Sequence, residues 1–383
     1  MKVFYWGSFF FTDSDFCIVK HLQDKGIDVT YFIPVEKGRT RGALLDIRTQ
    51  YNKTGIFPAS IYKEFGAFKD YIDLSKIYVV NSINKSPFHI ANLFLRIKLL
   101  IRYLSLSPDV FHTSVPLSRT FWFLYYLGGK RVITLHDPIP HSGQNNAITE
   151  RLRKKAILKC DKIVILSKDK LKQFLDTYEC TPQKVFISKL GYFDYLSILN
   201  FQKVNIDSKY ILFFGQIFSY KGIEYLLEAM VKVHAIHPKI KLVVAGGGEM
   251  YFDITPYKDK DYIIIENRFI ELPKLIGLLK DCMFSVAPYK DATQSGILIN
   301  AFSLNVPMVV TNVGFFPEMV KDGETGLIVD PQNVDQLADA IIKLIDSPEL
   351  LSKMRRNIET KWRSSMGWDI IADDLVNVYK RRK

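Results

Sequence analysis

Three short constellations carry the polar chemistry of this 383-residue chain. The first is Ser295-Gly296, which follows the apolar run 283–287 and opens an amphipathic segment that ends before a second apolar run at 308–311. Strand, turn, helix and strand in that order leave the first N–H groups of the helix without an intrahelical partner. With the positive end of the helix dipole, those donors suit a phosphate. The second is Lys221, placed after the apolar run 210–214, Gly215 and the turn 216–220, just before a helical pattern that starts at Ile223. The third is His136-Asp137, at the carboxyl end of the run 131–135, where open α/β sheets bind ligands. Taken singly, each has a plainer reading: a Ser-Gly turn that binds nothing, an exposed first-turn lysine, a structural histidine.

The elements that must position these groups read as alternating strands and helices. In the first half, strands are expected at 3–6, 28–33, 77–80, 110–112, 131–135, 162–166 and 184–187. In the second half they are expected at 210–214, 241–245, 262–266, 283–287, 308–311 and 327–329. Helical periodicity is clearest at 223–235, 272–280, 334–345 and 348–360. This alternation predicts parallel, doubly wound sheets in two α/β halves. The polar stretch 194–208 reads as the joint, and the tail 361–383 spaces Trp362, Trp368, Ile371, Leu375 and Tyr379 at roughly helical intervals.

Several motifs recur in one order across most of the chain: 108–112 and His136-Asp137 in the first half, then 213–215 with Tyr220-Lys221-Gly222, 245–248 and 267–270. Asp291-Ala292-Thr293-Gln294-Ser295-Gly296, Pro307, Gly314, Pro317-Glu318 and 323–331 complete the series. In these residues the sequence resembles family 4 glycosyltransferases, in particular the bacterial branch with Ala-Thr-Gln-Ser-Gly before the donor-site helix. The resemblance implies the GT-B fold: two Rossmann-like doubly wound domains facing across a cleft, with a C-terminal helix that crosses back to the first domain. The domains would be 1–200, with 361–383 packing back on it as the acceptor-side domain, and 201–360 as the nucleotide-sugar domain.

The implied activity is that of a retaining, hexosyltransferase-type enzyme. It would move a sugar from a nucleoside diphosphate donor to a glycan or lipid-linked glycan, in bacterial cell-surface polysaccharide synthesis. A nucleotide-sugar hydrolase or epimerase of the same fold, and a non-catalytic partner subunit, stand as alternatives. On the family pattern Lys221 holds the diphosphate and His136 faces the donor sugar, both as catalytic residues. Donor binding falls to Gly215, Gln216, Gly247, Gln294, Ser295, Gly296, Ile297 and Asn300. The acceptor side takes Gly7 and Ser8, in the loop 7–15, and His141, the second histidine of the His-Asp-Pro pattern. Two departures stand out. Many relatives carry Arg where this chain has Gln216, and the paired Glu positions are occupied by Ala292 and Asn300. No Asp-x-Asp lies where a metal-diphosphate bridge is expected, because Asp13-Ser14-Asp15 falls in the other half. The expectation is therefore no cofactor and no metal.

Charge is uneven. Residues 1–200 hold 29 Lys and Arg against 17 Asp and Glu, a net +12, while 201–383 hold 23 of each. No nucleic-acid motif accompanies the excess, so no nucleic-acid partner is expected. Segment 88–104 sets Arg96, Lys98 and Arg102 among large apolar residues. That pattern fits an interfacial helix on an anionic membrane, and equally a buried domain helix whose basic heads reach out to water. There is no run of about 18 uncharged apolar residues, and segment 1–6 leads into a strand-like run unlike a cleaved signal. The expected location is cytoplasmic, peripheral at the inner face of the membrane if 88–104 is interfacial. Cys17, Cys160, Cys180 and Cys282 lack the spacing of a zinc site and read as buried thiols.

Overall fold

The structure is a computed structural model that describes residues 1–36, 47, 52–84, 86–139, 147–166, 168, 170–291 and 296–381. Its internal contacts divide into two units, Met1–Gly191 with Met366–Lys383, and Tyr192–Ser365.

The strands of the first unit are β1 (Lys2–Trp6), β2 (Asp28–Glu36), β3 (Gly55–Pro58), β4 (Ile77–Ser82), β5 (Val110–Thr113), β6 (Lys130–Leu135), β7 (Lys162–Ile165) and β8 (Val185–Ile187). Their sheet order is β3-β4-β2-β1-β5-β6-β7-β8. Between them run α1 (Thr12–Asp24), α2 (Ile90–Leu106), α3 (Ala147–Lys159) and α4 (Leu171–Tyr178). Because β1 lies between β2 and β5, the winding direction reverses there, which makes the ends of these strands the switch point of the sheet. One face of the sheet is filled with aromatic side chains: Phe4 stacks on Phe32 at 4.2 Å, and Tyr103 of α2 meets Phe4 at 4.9 Å. Tyr5, Tyr31 and His112 point to the other face, as period-2 alternation requires.

The second unit repeats the logic with β9 (Tyr210–Phe214), β10 (Lys241–Ala245), β11 (Ile263–Glu266), β12 (Ser285–Ala287), β13 (Met308–Thr311) and β14 (Gly326–Val329). Their order is β11-β10-β9-β12-β13-β14, every pair parallel, so the reversal falls between β9 and β12. The helices α5 (Ile223–Ile236), α6 (Leu272–Asp281), α7 (Gly296–Ser303), α8 (Phe316–Met319), α9 (Val334–Asp346), α10 (Pro348–Asn357) and α11 (Arg363–Ser365) belong to this unit. The last helix, α12 (Trp368–Lys380), returns to the first.

The expected strands lie where the alternation puts them, with shifts of one to three residues at several ends. Strand 77–80 runs on to Ser82, because Asn81 and Ser82 pair with Val35 and Glu36. Strand 283–287 begins only at Ser285. One strand was not expected. β3 pairs antiparallel with β4, so the first sheet is not wholly parallel. It is four residues long with Gly55 and Pro58 at its ends, a pattern that reads as a turn and suits an edge. Helix α2 is buried on one face only, through Asn92, Leu95, Leu99 and Tyr103. Ile90, Phe94, Ile97, Ile101 and Leu104 form an exposed apolar row on the other, spaced three or four residues apart. Cys17, Cys160 and Cys282 are buried thiols outside any disulfide, and Cys180 is half-buried.

Helix α12 is fixed to the first unit at both ends. His21 of α1 and Lys25, which caps it, reach Asp369 at 3.1 Å and Asp373 at 2.7 Å. Lys130 donates to the carbonyls of Tyr379 and Arg381. Between these ends, the Tyr379 hydroxyl meets His112 Nδ1 at 2.6 Å inside the protein, while His112 Nε2 pairs with Thr134 Oγ1 at 2.9 Å. Tyr379→Phe strips that buried nitrogen of its partner. The expected cost is about 1–3 kcal/mol, read as a lower midpoint for the first unit in urea unfolding.

Candidate active site

In the second unit, the chain leaves β9 at Gly215, whose φ of +108° only glycine adopts freely. A Cβ there would stand 3.0 Å from Lys221 Nζ and 3.3 Å from Ile297 Cγ2, so the missing side chain is what lets the ammonium and the first turn of α7 close on one spot. Gly222 follows in the left-handed region at φ +64°, where a Cβ would strike the Pro288 carbonyl oxygen at 2.1 Å. This turn carries Lys221 inward. The lysine is only 6% exposed, and its ammonium lies 5.2 Å from the Tyr289 ring centre and 5.9 Å from that of Tyr220. Burial pushes its pKa down to about 8.

The other donor-side residues stand around this point or outside the described residues. Gly246 and Gly248 pass the β9 turn too closely for side chains, at 1.9 Å from the Gly215 oxygen and 2.4 Å from the Ile217 oxygen for a Cβ. Gly247, between them, faces the backbone of Arg268 and Phe269. Gln216 is exposed. Gly296 opens α7 and Ile297 is buried behind it. The Asn300 amide donates to the Gly296 carbonyl at 2.7 Å, which commits its nitrogen to its own helix. Ala292, Gln294 and Ser295 lie outside the described residues.

In the first unit, His136 follows β6 and is 7% exposed. Phe11 covers it, the two rings stacked at 3.9 Å and 5°. Burial lowers its pKa to about 4, so the imidazole is neutral at physiological pH. Arg153 of α3 donates to the carbonyl of Asp137 and holds the turn from behind. Arg151 is exposed, and Lys155 lies 5.8 Å from the Trp122 ring centre. Gly7 is buried at the end of β1, and the Ser8 hydroxyl accepts from Phe10 N at 3.2 Å. His141 lies outside the described residues.

Sequence reasoning noted Asp15 only for its spacing from Asp13. In the fold it is fully buried and accepts four hydrogen bonds, from Tyr5, Tyr31, Ser114 and the Ser8 amide. Its partners lie 10, 16, 99 and 7 positions away, so no local pattern announces it.

Two doubly wound units of mainly parallel strands, with the last helix returning to the first unit, give an α/β protein of the GT-B fold. Residues 198–361 match the family model described as glycosyl transferases group 1. An uncharacterized glycosyltransferase of Methanocaldococcus jannaschii is 31% identical over 188 residues, covering 48% of each chain. The chain spans about half the length of the curated relatives it matches. Sucrose-phosphate synthase from Thermosynechococcus elongatus has the same fold, with a TM-score of 0.68 at 16% identity over 99% of this chain and 98% of that one. Anabaena HepE in complex with UDP aligns with a TM-score of 0.66 at 11% identity over 98% and 99%.

The lowered pKa of Lys221 has a consequence for any diphosphate ligand. A neighbouring diphosphate favours the charged amine, so binding takes up a proton above pH 8, and affinity falls as pH rises through that value. With UDP as the probe, the dissociation constant should rise by up to about tenfold per pH unit above 8. Calorimetry in buffers of different ionisation enthalpy measures the proton uptake, which Lys221→Met should abolish.

Proposed function

We propose that this chain is a retaining, metal-independent glycosyltransferase that moves a sugar from a nucleoside diphosphate to a glycan or lipid-linked glycan of a bacterial surface polysaccharide. The observation that carries the reading is the buried Lys221 ammonium closing with Gly215 and the first turn of α7, in a domain that matches a glycosyltransferase family model. A departing diphosphate gains negative charge. A fixed ammonium and helix N–H groups stabilise that charge without reorganising in the transition state. In this reading the sugar leaves and the acceptor attacks on the same face, His136 meets the sugar, and the loop beginning at Gly7 and Ser8 receives the acceptor. UDP sugars are the first donors to try, since HepE was crystallised with UDP.

A lipid-linked acceptor fits the surface of the first unit. The exposed apolar row of α2 lies on the same aromatic-filled side of the sheet as α3, through the shared cluster of Leu95, Leu99, Tyr103, Ala156 and Ile157. There Lys159 sits 4.6 Å from the ring centre of the exposed Tyr126. Exposed apolar side chains on α2, with an exposed aromatic and basic pair elsewhere on that side of the sheet, suit the interface of an anionic bilayer. Arg96 and Arg102 are turned back onto the protein, to Thr120, Pro87 and Tyr78, which leaves Lys98 as the exposed cation of the three.

A thermal-shift screen against UDP, GDP, ADP and CMP sugars, followed by a transfer assay with the stabilising donor, tests the central reading. Lys221→Ala should cut turnover by about two to three orders of magnitude, the scale for one preorganised electrostatic contact. Turnover should persist in excess EDTA. A mutant near wild-type rate removes Lys221 from the mechanism, and loss in EDTA restored by Mg²⁺ or Mn²⁺ removes the metal independence.

Flotation tests the bilayer. The chain should rise with phosphatidylserine vesicles at low salt more than with neutral ones, each surface cation contributing about 1 kcal/mol. Phe94→Ser with Ile101→Ser should weaken both associations. Equal recovery from the two vesicle types argues for a soluble acceptor.

A further inference from the structure

Asp15, in the first turn of α1, is held by groups from two strands of the first sheet and from the loops after β1 and β5. Its Oδ1 accepts from the Tyr5 hydroxyl at 2.8 Å. Its Oδ2 accepts from the Tyr31 hydroxyl at 3.0 Å, Ser114 Oγ at 3.1 Å and the backbone N–H of Ser8 at 3.2 Å. Tyr5 belongs to β1 and Tyr31 to β2, while Ser114 directly follows β5. A Cβ on Gly7 would fall 2.3 Å from Oδ2 and 2.5 Å from the Tyr31 ring, so the loop after β1 passes against the carboxylate with no room to spare.

The same loop carries a second contact. Ser8 accepts from Phe10 N through its hydroxyl and from Phe11 N through its carbonyl, at 3.2 and 3.1 Å, and so closes the short helical turn Phe9–Phe11. That turn lays Phe11 flat on His136. Three of the four donors to Asp15 are hydroxyls that can rotate away. The Ser8 N–H cannot, because it is part of the backbone that sets the turn.

We propose that Asp15 is a positioning residue for His136: it anchors Ser8, Ser8 fixes the turn, and the turn keeps Phe11 stacked over the imidazole. The proposal rests on the reading of His136 as the sugar-facing histidine, and it adds a residue outside the motifs that suggest that role. A capped imidazole is held in one plane, out of water and neutral, ready to meet charge that shifts toward the phosphate. Uncapped, it turns, hydrates and takes a proton. Burial pushes the Asp15 carboxyl itself up to about 7, against the four hydrogen bonds that lower it. The titratable groups around it are Tyr5, Tyr31 and Asp13, with His112 and Tyr379 behind Tyr5. His112 is held far below the usual imidazole range, at about 3, and the tyrosines far above theirs, while burial raises the Asp13 carboxyl to about 6, so Asp13 is the neighbour that titrates beside Asp15 near neutrality.

Histidine titration by carbon-13 NMR reads the chain of contacts without any sugar transfer. His136 is identified among the seven histidines as the resonance missing in His136→Gln. In the wild type it should stay neutral across pH 5–8, since its pKa lies near 4. Phe11→Ala removes the cap, and Asp15→Ala removes the anchor. Each should raise the His136 pKa by at least about one unit toward the ordinary imidazole value. Asp15→Asn keeps an acceptor for Ser8 and should stay near the wild type, whereas Asp15→Leu, which fills the space without an acceptor, should give the same rise as Asp15→Ala and so separates the lost anchor from lost packing. If Asp15→Ala does not fold, Gly7→Ala forces the loop off an intact carboxylate and should give the same rise. A folded Asp15→Ala, or Gly7→Ala in its place, with His136 titrating as in the wild type overturns the proposal, and so does an unchanged value in Phe11→Ala. Because the readout is protonation, failure to find a sugar donor leaves this result standing on its own.

Discussion

A parallel sheet covered by helices on both faces can carry polar chemistry only at the ends of its strands, and that constraint organises both units of this chain. At the carboxyl ends, backbone groups run out of ladder partners just where the winding reverses. β1 and β5 supply Gly7, Ser8 and Ser114 in the first unit. β9 and β12 supply Gly215 and Pro288 in the second. The turns that follow these ends, and the helices that open from them, hold the groups given a chemical role. The helices fill volume, and the strands decide where charge can stand.

The two units solve that problem with opposite signs. The first buries a carboxylate and surrounds it with donors, so its charge is spent on holding a loop in place. The second buries an ammonium near two aromatic rings, at the Gly215 turn that the Ile297 side chain of α7 also approaches. Removal from water disfavours the charged amine, which is why burial lowers its pKa.

Much of this was legible in the sequence where the signal is local. Runs such as Tyr210–Phe214 are buried throughout and read as strands without help from the fold. Lys221 could be placed because a strand, a glycine and a helix start bracket it within a dozen residues. β3 was missed because Gly55 and Pro58 are turn residues, and only the pairing with β4 makes them a strand. Helix α2 stayed ambiguous because its two faces are both apolar, and periodicity cannot say which meets the core. Asp15 was invisible as an anchor because its partners come from two strands and from the loops after β1 and β5, and Phe11 as a cap because His136 is 125 positions away.

The return of α12 gives the chain an unusual order of completion during synthesis. The second unit, Tyr192–Ser365, is contiguous and has all its strands before the last eighteen residues, Met366–Lys383, are made. The first unit begins at the ribosome long before it, yet must wait for those residues to supply Trp368 against Gly191 and Tyr379 against His112. Until then, the imidazole of His112 and the outer face of α1 remain open to water. The first unit is therefore completed only by a segment that lies, in chain order, beyond every strand of the second.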